Sequence, residues 1–321
     1  MKSRRAECRI VAVPVLELRR RPDHRSECVT ECLMGSRLLV ERSSLDGRWL
    51  HVLAPDGYRA WARSWGTAPS GSPWGARERA CRAVRAAFSH VHAGPDADSA
   101  IVTPVAMGCR IVLAGRRAGD WRPVILPDGR EGWIPEADTE VDGRGMASLF
   151  WSPPVRGMPR LGPRSFARAR LRRVIERARQ LIGTPYRWGG ASAWGLDCSG
   201  FVRLVFGLEG IALPRDARDQ ASALARWLAT TDRGGLRTGD LVFFGRSMEA
   251  IDHVGLVVEG GRGRVLHASG SVRLSSLDEG DPLFEPALLA RVRAVARPPW
   301  SGRKKYSGSS LKTPKRREEG S

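Results

Sequence analysis

Residues 183–206 read GTPYRWGGASAWGLDCSGFVRLVF, a glycine-rich loop that runs directly into an apolar segment. Glycine and proline interrupt regular structure, so the pattern predicts a loop and then a helix that begins near Cys198. A thiol in the first turn of a helix lies near the positive end of the helix dipole and near unpaired amides, which stabilise thiolate. Cys198 is therefore a candidate nucleophile, although an isolated cysteine is more often buried and inert.

Three predicted strands follow this helix. They cover residues 236–244 (LRTGDLVFF, with a turn), 252–260 (DHVGLVVEG) and 264–270 (RVLHASG), and His253 and His267 each lie near the end of one of them. Adjacent antiparallel strands would bring the two imidazoles together, facing the start of the helix. In cysteine catalysis, one histidine takes the thiol proton while a second polar group orients it, so the pattern favours a catalytic site.

An internal repeat lies nearer the N-terminus. Residues 46–61 read DGRWLHVLAPDGYRAW and residues 118–133 read AGDWRPVILPDGREGW, which is a constant offset of 72. Each copy has an alternating strand, a Pro-Asp-Gly turn and a second strand with tryptophan, which is typical of a hairpin. The pattern predicts two small antiparallel all-β units over residues 8–68 and 85–138, with the tryptophans in their cores.

The remaining segments divide the chain further. The segment at 69–84 is a connector, and the sequence looks helical from 76, within this connector, to 88. The proline-rich residues 139–164 form a linker. A helix capped by Ser165 and ended by Gly183 then opens a third unit at 165–297. Residues 298–321 form a basic tail that we expect to be disordered, with electrostatic contact to anionic polymers as the alternative.

Composition excludes some classes of protein. The net charge of +19 is mostly diffuse arginine and no nucleic-acid recognition motif accompanies it, so we expect no nucleic-acid partner. No apolar run approaches the roughly 20 residues of a membrane helix. The six cysteines do not predict a disulfide framework, and the CxxxC of Cys28 and Cys32 lacks further ligands for zinc. Since no signal peptide is evident, we expect the cytoplasm, or export if the start site is mis-assigned.

The region from about 166 to 297 resembles the NlpC/p60 family of papain-like cysteine peptidases. The resemblance rests on IGTPYRWGG, LDCSGF, LPR with Gln220, GDLVFF, DHVGL and LHASG, in the family's order. It implies an α+β fold, with Cys198 as nucleophile, His253 as base and His267 as the orienting residue. It implies no metal or organic cofactor. The two all-β units resemble bacterial SH3-like domains, which either recognise wall polymer or peptide, or shape a neighbouring cleft.

Two SH3-like units ahead of this domain also resemble the γ-D-glutamyl-L-diamino acid endopeptidases of murein stem peptides. In such enzymes, the residues matching Tyr186, Asp197 and Ser199 bind the free amine of an N-terminal L-Ala. Helix capping is the simpler interpretation of Asp197 and Ser199, and the two are compatible. The oxyanion of a tetrahedral intermediate needs preorganised donors, and the backbone N–H of Cys198 at the helix start is the first candidate and the Tyr186 hydroxyl the second.

Two other functions stay open at this point. One is an exported hydrolase of intact peptidoglycan, and the other is a wall-binding protein with an inactive third unit. The preferred diamino acid, the SH3 residue that contacts substrate and the oligomeric state are not determined by the sequence.

Overall fold

The computed structural model describes residues 7–72, 74, 81–141, 168–229 and 235–297. The predicted linker from residue 142 onward, the Ser165 cap and the basic tail lie outside the described residues, so those predictions are not tested. Among the described residues, no helix is long and apolar enough to cross a membrane.

The first unit is a single antiparallel sheet of seven strands in the order β3-β2-β6-β5-β4-β1-β7. Its apolar core includes Leu18, Leu38 and Val52, all without solvent exposure. The strands are β1 (Glu7–Val11), β2 (Val15–Arg19), β3 (Cys28–Leu33), β4 (Arg37–Ser43), β5 (Trp49–Leu53), β6 (Arg59–Arg63) and β7 (Thr67–Pro69).

The second unit repeats this topology strand for strand, in the order β10-β9-β13-β12-β11-β8-β14. A single 3-10 turn precedes the last strand of each unit, at Ser64–Gly66 and at Glu136–Asp138. The repeat in the sequence is therefore a repeat of fold, and the prediction of two all-β units is confirmed. The strands are β8 (Cys81–Val84), β9 (Phe88–His92), β10 (Ile101–Ala106), β11 (Arg110–Leu113), β12 (Trp121–Ile125), β13 (Glu131–Pro135) and β14 (Thr139–Val141).

Two expectations about these units are wrong in part. The helix predicted over 76–88 is a strand from residue 81, because β8 pairs with β11 on one side and β14 on the other, and this pairing overrides the helical propensity of the segment. Of the four repeat tryptophans only Trp49 is buried. Trp61 is half-buried and contacts Arg42 and His51 instead.

The third unit places helices against a six-stranded antiparallel sheet in the order β17-β22-β18-β19-β20-β21. All five residues of β18 are buried. One face of the strand packs in the apolar core that it shares with the helices, and the other face packs in a smaller apolar cluster. The helices are α1 (Arg168–Gln180), α2 (Cys198–Gly207), α3 (Ala217–Ala223) and α4 (Pro286–Leu289). The strands are β15 (Ala191–Ser192), β16 (Gly195–Leu196), β17 (Leu228–Ala229), β18 (Leu241–Gly245), β19 (Ile251–Glu259), β20 (Arg264–Ser269), β21 (Ser271–Ser276) and β22 (Val292–Ala296).

The three units share one continuous apolar core. Leu33 and Met34 of the first unit, Val91 of the second and Phe201 of the third belong to the same cluster of buried side chains. The all-β units therefore pack against the α+β unit as parts of one body, which brings the β3 edge of the first sheet next to the loop before α2.

Candidate active site

Cys198 is the first residue of α2, as the sequence predicts. Asp197 caps the helix, since its carboxylate accepts a hydrogen bond from the Gly200 backbone N–H at 2.7 Å. The Cys198 side chain is 6% exposed, and its Sγ lies 3.8 Å from the backbone oxygen of Asp252 on β19. The thiol thus contacts the residue that immediately precedes His253.

The two histidines lie on adjacent antiparallel strands and contact each other. His267 of β20 is directly opposite Gly255 of β19, and Nε2 of His253 lies 2.8 Å from Nδ1 of His267. The two rings are nearly perpendicular, and His267 is almost fully buried. The contact uses Nε2 of His253 and leaves its Nδ1 as the nitrogen available to a thiol.

Burial favours the neutral forms of all three groups. It raises the pKa of the Cys198 thiol to about 12, with the Asp197 carboxylate adding to the effect and hydrogen bonds from the backbone of Val254 and Ser199 opposing it. Burial also lowers the pKa of His253 to about 3 and of His267 to about 4. The expected stabilisation of thiolate at the helix start is present but is outweighed by desolvation.

Asp197 is held by a buried arginine that the sequence analysis did not single out. Arg215, which is 3% exposed, donates to both carboxylate oxygens of Asp197 at 2.9 and 2.5 Å. It also donates to the Ser199 hydroxyl at 3.1 Å and to Thr30 of the first unit at 3.0 Å. Burial acts to lower the pKa of Arg215, but the charge and hydrogen bonds of Asp197 raise it above its ordinary value.

One cleft contains most of the predicted site residues. Tyr186, Asp197, Cys198 and Ser199 line it together, whereas His253 and His267 are not among its lining residues and contact each other from β19 and β20. Tyr186 is partly exposed, and burial raises the pKa of its hydroxyl.

The first all-β unit supplies the opposite wall of this cleft. Tyr58, in the turn after the Pro-Asp-Gly sequence, donates its hydroxyl proton to Asp216 of the third unit at 2.6 Å. Glu27 accepts a hydrogen bond from the indole N–H of Trp188 at 2.9 Å, and both residues also line the cleft. Sequence reasoning assigned no residue to this wall. A signal was available, because the second repeat has Arg130 where the first has Tyr58.

Glu31 of β3 fastens the loop that precedes the nucleophile. Its Oε2 accepts hydrogen bonds from the Ala191 backbone at 3.0 Å and from the Ser192 hydroxyl at 2.9 Å. Its Oε1 lies 2.9 Å from Nη1 of Arg187, and burial raises the pKa of the carboxyl. Gly189, which has φ of +75°, lets the loop approach the backbone of the first unit closely, because a Cβ at this position would lie 2.4 Å from the Cys28 carbonyl oxygen.

The described residues contain no group of three or more His, Cys, Asp or Glu side chains arranged to hold a metal ion.

Comparisons with known proteins identify two of the domains. Residues 183–291 match the NlpC/P60 family, and residues 18–64 match the bacterial dipeptidyl-peptidase Sh3 domain. The chain is 38% identical over 128 residues to a gamma-D-glutamyl-L-lysine dipeptidyl-peptidase of Bacillus subtilis, which is 38% of this chain and 40% of that protein. It is 37% identical over 125 residues to dipeptidyl-peptidase 6 of Lysinibacillus sphaericus, which is 38% of this chain and 42% of that protein.

The matched segment thus spans about two-fifths of the length of these relatives. Among solved structures, an NlpC/P60 family protein from Bacillus cereus has the same fold, with a TM-score of 0.69 at 19% identity over 90% of this chain and 99% of that one. The chain therefore contains an NlpC/P60 family domain that is C-terminal to a bacterial SH3 domain.

Proposed function

We propose that this protein is a cysteine endopeptidase that hydrolyses the γ-D-glutamyl-diamino acid bond of murein stem peptides. The observation that carries the proposal is the contact of the Cys198 thiol with the backbone of Asp252, the neighbour of His253, together with the contact between His253 and His267. The thiol lines a cleft bordered by the first SH3 domain. The two relatives named above, a γ-D-glutamyl-L-lysine dipeptidyl-peptidase and a dipeptidyl-peptidase, support the class of bond.

The mechanism starts from a neutral Cys198 thiol and a neutral His253. As the Cys198 sulfur attacks the γ-carbonyl carbon of D-glutamate, the thiol proton moves to Nδ1 of His253. This transfer creates two opposite charges side by side, and each stabilises the other more strongly in a buried site than in water. His253 then returns the proton to the leaving amine, the C–N bond breaks, and water hydrolyses the thioester with His253 again as base.

The oxyanion of the tetrahedral intermediate needs donors that are already in place. The backbone N–H of Cys198 at the start of α2 is the first, and the hydroxyl of Tyr186 across the cleft is the second.

The cleft favours short peptides with a free N-terminal amine. Tyr58 and Asp216 join the two domains by a hydrogen bond at the cleft wall, which restricts the length of peptide that enters. Tyr186, Asp197 and Ser199 lie together beside the nucleophile and form the proposed amine site. The Asp197 carboxylate already accepts from Arg215, so an ammonium group shares these oxygens instead of finding them free.

We propose that the activity lies in the cytoplasm and acts on short, already trimmed murein peptides that are being recycled. Cell fractionation with an antibody against the protein tests this location. Recovery in the culture medium or wall fraction would contradict it.

The decisive experiment compares L-Ala-γ-D-Glu-diaminopimelate, its N-acetylated form and intact sacculi, with products followed by mass spectrometry. We expect free diaminopimelate from the first substrate only, and a loss of roughly 100-fold or more in kcat/KM on acetylation, because the acetyl group removes the ammonium charge that would hydrogen-bond to Asp197 and adds bulk at the amine site. Digestion of sacculi alone would instead indicate a hydrolase of intact wall.

Two variants accompany this experiment. Cys198→Ala should be inactive. Cys109→Ala is the matched control, since Cys109 is also buried with a thiol pKa raised by burial to about 11 but lies in the second all-β unit. Turnover by Cys198→Ala would overturn the proposal.

A further inference from the structure

A buried chain of polar groups continues beyond His267, away from the nucleophile. Nε2 of His267 lies 2.8 Å from the Ser275 hydroxyl on β21, and that hydroxyl donates to Oε1 of Glu285 at 2.6 Å. Ser275 has no solvent exposure and Glu285 is partly exposed just before α4. His267 and Ser275 therefore connect the base, His253, to the carboxylate of Glu285.

The chemistry of the last member determines the direction of every proton in this chain. An ionised carboxylate only accepts hydrogen bonds, so the Ser275 proton points to Glu285 and the Ser275 oxygen accepts from Nε2–H of His267. A neutral His267 with its proton on Nε2 has a lone pair on Nδ1, which accepts from Nε2–H of His253. A neutral His253 with its proton on Nε2 then has no proton on Nδ1.

We infer that Ser275 and Glu285 are positioning residues that fix both histidine tautomers, so that Nδ1 of His253 is always the basic nitrogen facing the thiol. This inference rests on the proposed roles of Cys198 and His253. Every proton that moves in catalysis passes through Nδ1 of His253, and the protons on His267 and Ser275 remain in place.

Other charged groups border the chain. Arg273 forms an ion pair with Glu285, with Nη1 2.6 Å from Oε1 and Nη2 3.0 Å from Oε2. Arg291 and Asp252 lie close to His253 and pair with each other at 2.5 Å. Both Glu285 oxygens thus face hydrogen-bond donors from Arg273 and Ser275, and this acceptor role of Glu285 is the property on which the tautomer assignment depends.

The substitution Ser275→Ala removes the acceptor for Nε2–H of His267 and nothing larger than one hydroxyl. Ser276→Ala is the matched control: Ser276 is adjacent, equally buried, and donates its hydroxyl proton to the Arg262 backbone oxygen at 2.8 Å. We expect Ser275→Ala to lower kcat roughly 10- to 100-fold with KM within about threefold, because a fraction of His253 then carries its proton on the wrong nitrogen. Ser276→Ala should stay within about twofold of the unmodified protein.

A second readout does not depend on activity. Long-range ¹H–¹⁵N spectra of histidine-labelled full-length protein distinguish the two imidazole tautomers. We expect Nε2–H on both His253 and His267 in the unmodified protein and in Ser276→Ala, and a mixture of tautomers in Ser275→Ala. Glu285→Gln, which keeps the shape of the side chain but allows its amide to donate to Ser275, should also produce a mixture and serves if Ser275→Ala does not fold.

The outcomes separate this inference from the function proposed above. Activity in Cys198→Ala would refute the function whatever the spectra show. If Cys198→Ala is inactive but Ser275→Ala keeps full kcat and wild-type tautomers, the positioning role is wrong and the peptidase proposal stands.

Discussion

Removal of Arg215 tests how strongly the nucleophile segment depends on one buried ion pair. Arg215 is 3% exposed and makes two hydrogen bonds to Asp197, whose side chain is also largely buried. Arg215→Met preserves much of the apolar stem and removes the charge. The Asp197 carboxylate then keeps only neutral donors, among them the backbone N–H groups of Gly189 and Gly200.

Breaking one side of a buried pair costs about 3–5 kcal/mol, because it leaves an uncompensated charge. We therefore expect the free energy of unfolding to fall by that amount in Arg215→Met, measured by urea titration with tryptophan fluorescence at pH 7. The continuous core of the three units favours a single transition for this measurement. Arg172→Met is the control, since Arg172 pairs with Glu176 on the exposed face of α1 and such pairs contribute at most about 0.5 kcal/mol.

A double variant shows whether the charge itself is responsible. Asp197→Asn combined with Arg215→Met removes both charges, so it should be more stable than the single Arg215→Met variant even though it carries one more substitution. If Arg215→Met unfolds within about 1 kcal/mol of the unmodified protein, the claim that this pair holds the segment before Cys198 is refuted.

Three further predictions concern stability and the SH3 contact. Burial lowers the pKa of His267 to about 4, while an unfolded histidine titrates near 6.5, so the unfolded state binds more protons between these values and His267 alone should account for a loss of about 3 kcal/mol of stability from pH 7 to pH 4. In urea titrations of His267→Gln the fall should be smaller by about that amount, because His253, whose pKa burial lowers to about 3, still titrates. Glu31→Ala removes the acceptor of two buried donors, so it should lower the free energy of unfolding by roughly 2–4 kcal/mol and should reduce kcat. Glu41→Ala removes an exposed ion pair in the same domain and should change neither quantity. Gly189→Ala should separate the loop from the first SH3 domain, since its Cβ would lie 2.4 Å from the Cys28 oxygen. The loss in kcat/KM, expressed as a free energy, should exceed the loss in the free energy of unfolding.

The fold was predictable from the sequence wherever the signal was local or repeated. The hairpin pattern of each repeat was enough to predict an all-β unit, because a turn and two alternating strands determine their own pairing. The strands that carry His253 and His267 were predicted in the same way. The prediction for the segment from Cys81 was wrong because its arginine and alanine residues favour a helix locally. Only pairing with distant strands makes this segment a strand.

The site was predictable only where a motif contains it. Cys198, Asp197 and Ser199 are consecutive in the sequence, and the two histidines belong to strand motifs. Arg215 lies in the quoted LPR motif, yet nothing local reveals that it reaches Asp197. Contacts of this kind depend on how separate elements pack, and a single sequence does not encode them in its periodicity.

Comparison of the two repeats explains how the first SH3 domain became part of the cleft. Strands β3 and β10 are equivalent edge strands, reading CVTECL and IVTPVA, so that Glu31 corresponds to Pro104. An edge strand exposes unpaired backbone groups, and proline is one common means of keeping such an edge unpaired. The second unit has the exposed Pro104 there, whereas the first covers its edge with the loop before α2 and places a buried carboxylate at the same position.

The same contrast holds at the turn, where Tyr58 donates across the cleft to Asp216 and its counterpart Arg130 instead donates within its own unit, to Asp128 and the Val102 backbone. These two differences between the repeats thus coincide with contacts to the third unit. It follows that exchanging Tyr58 and Glu31 for the residues of the second repeat should leave the first sheet folded but remove its contribution to the cleft.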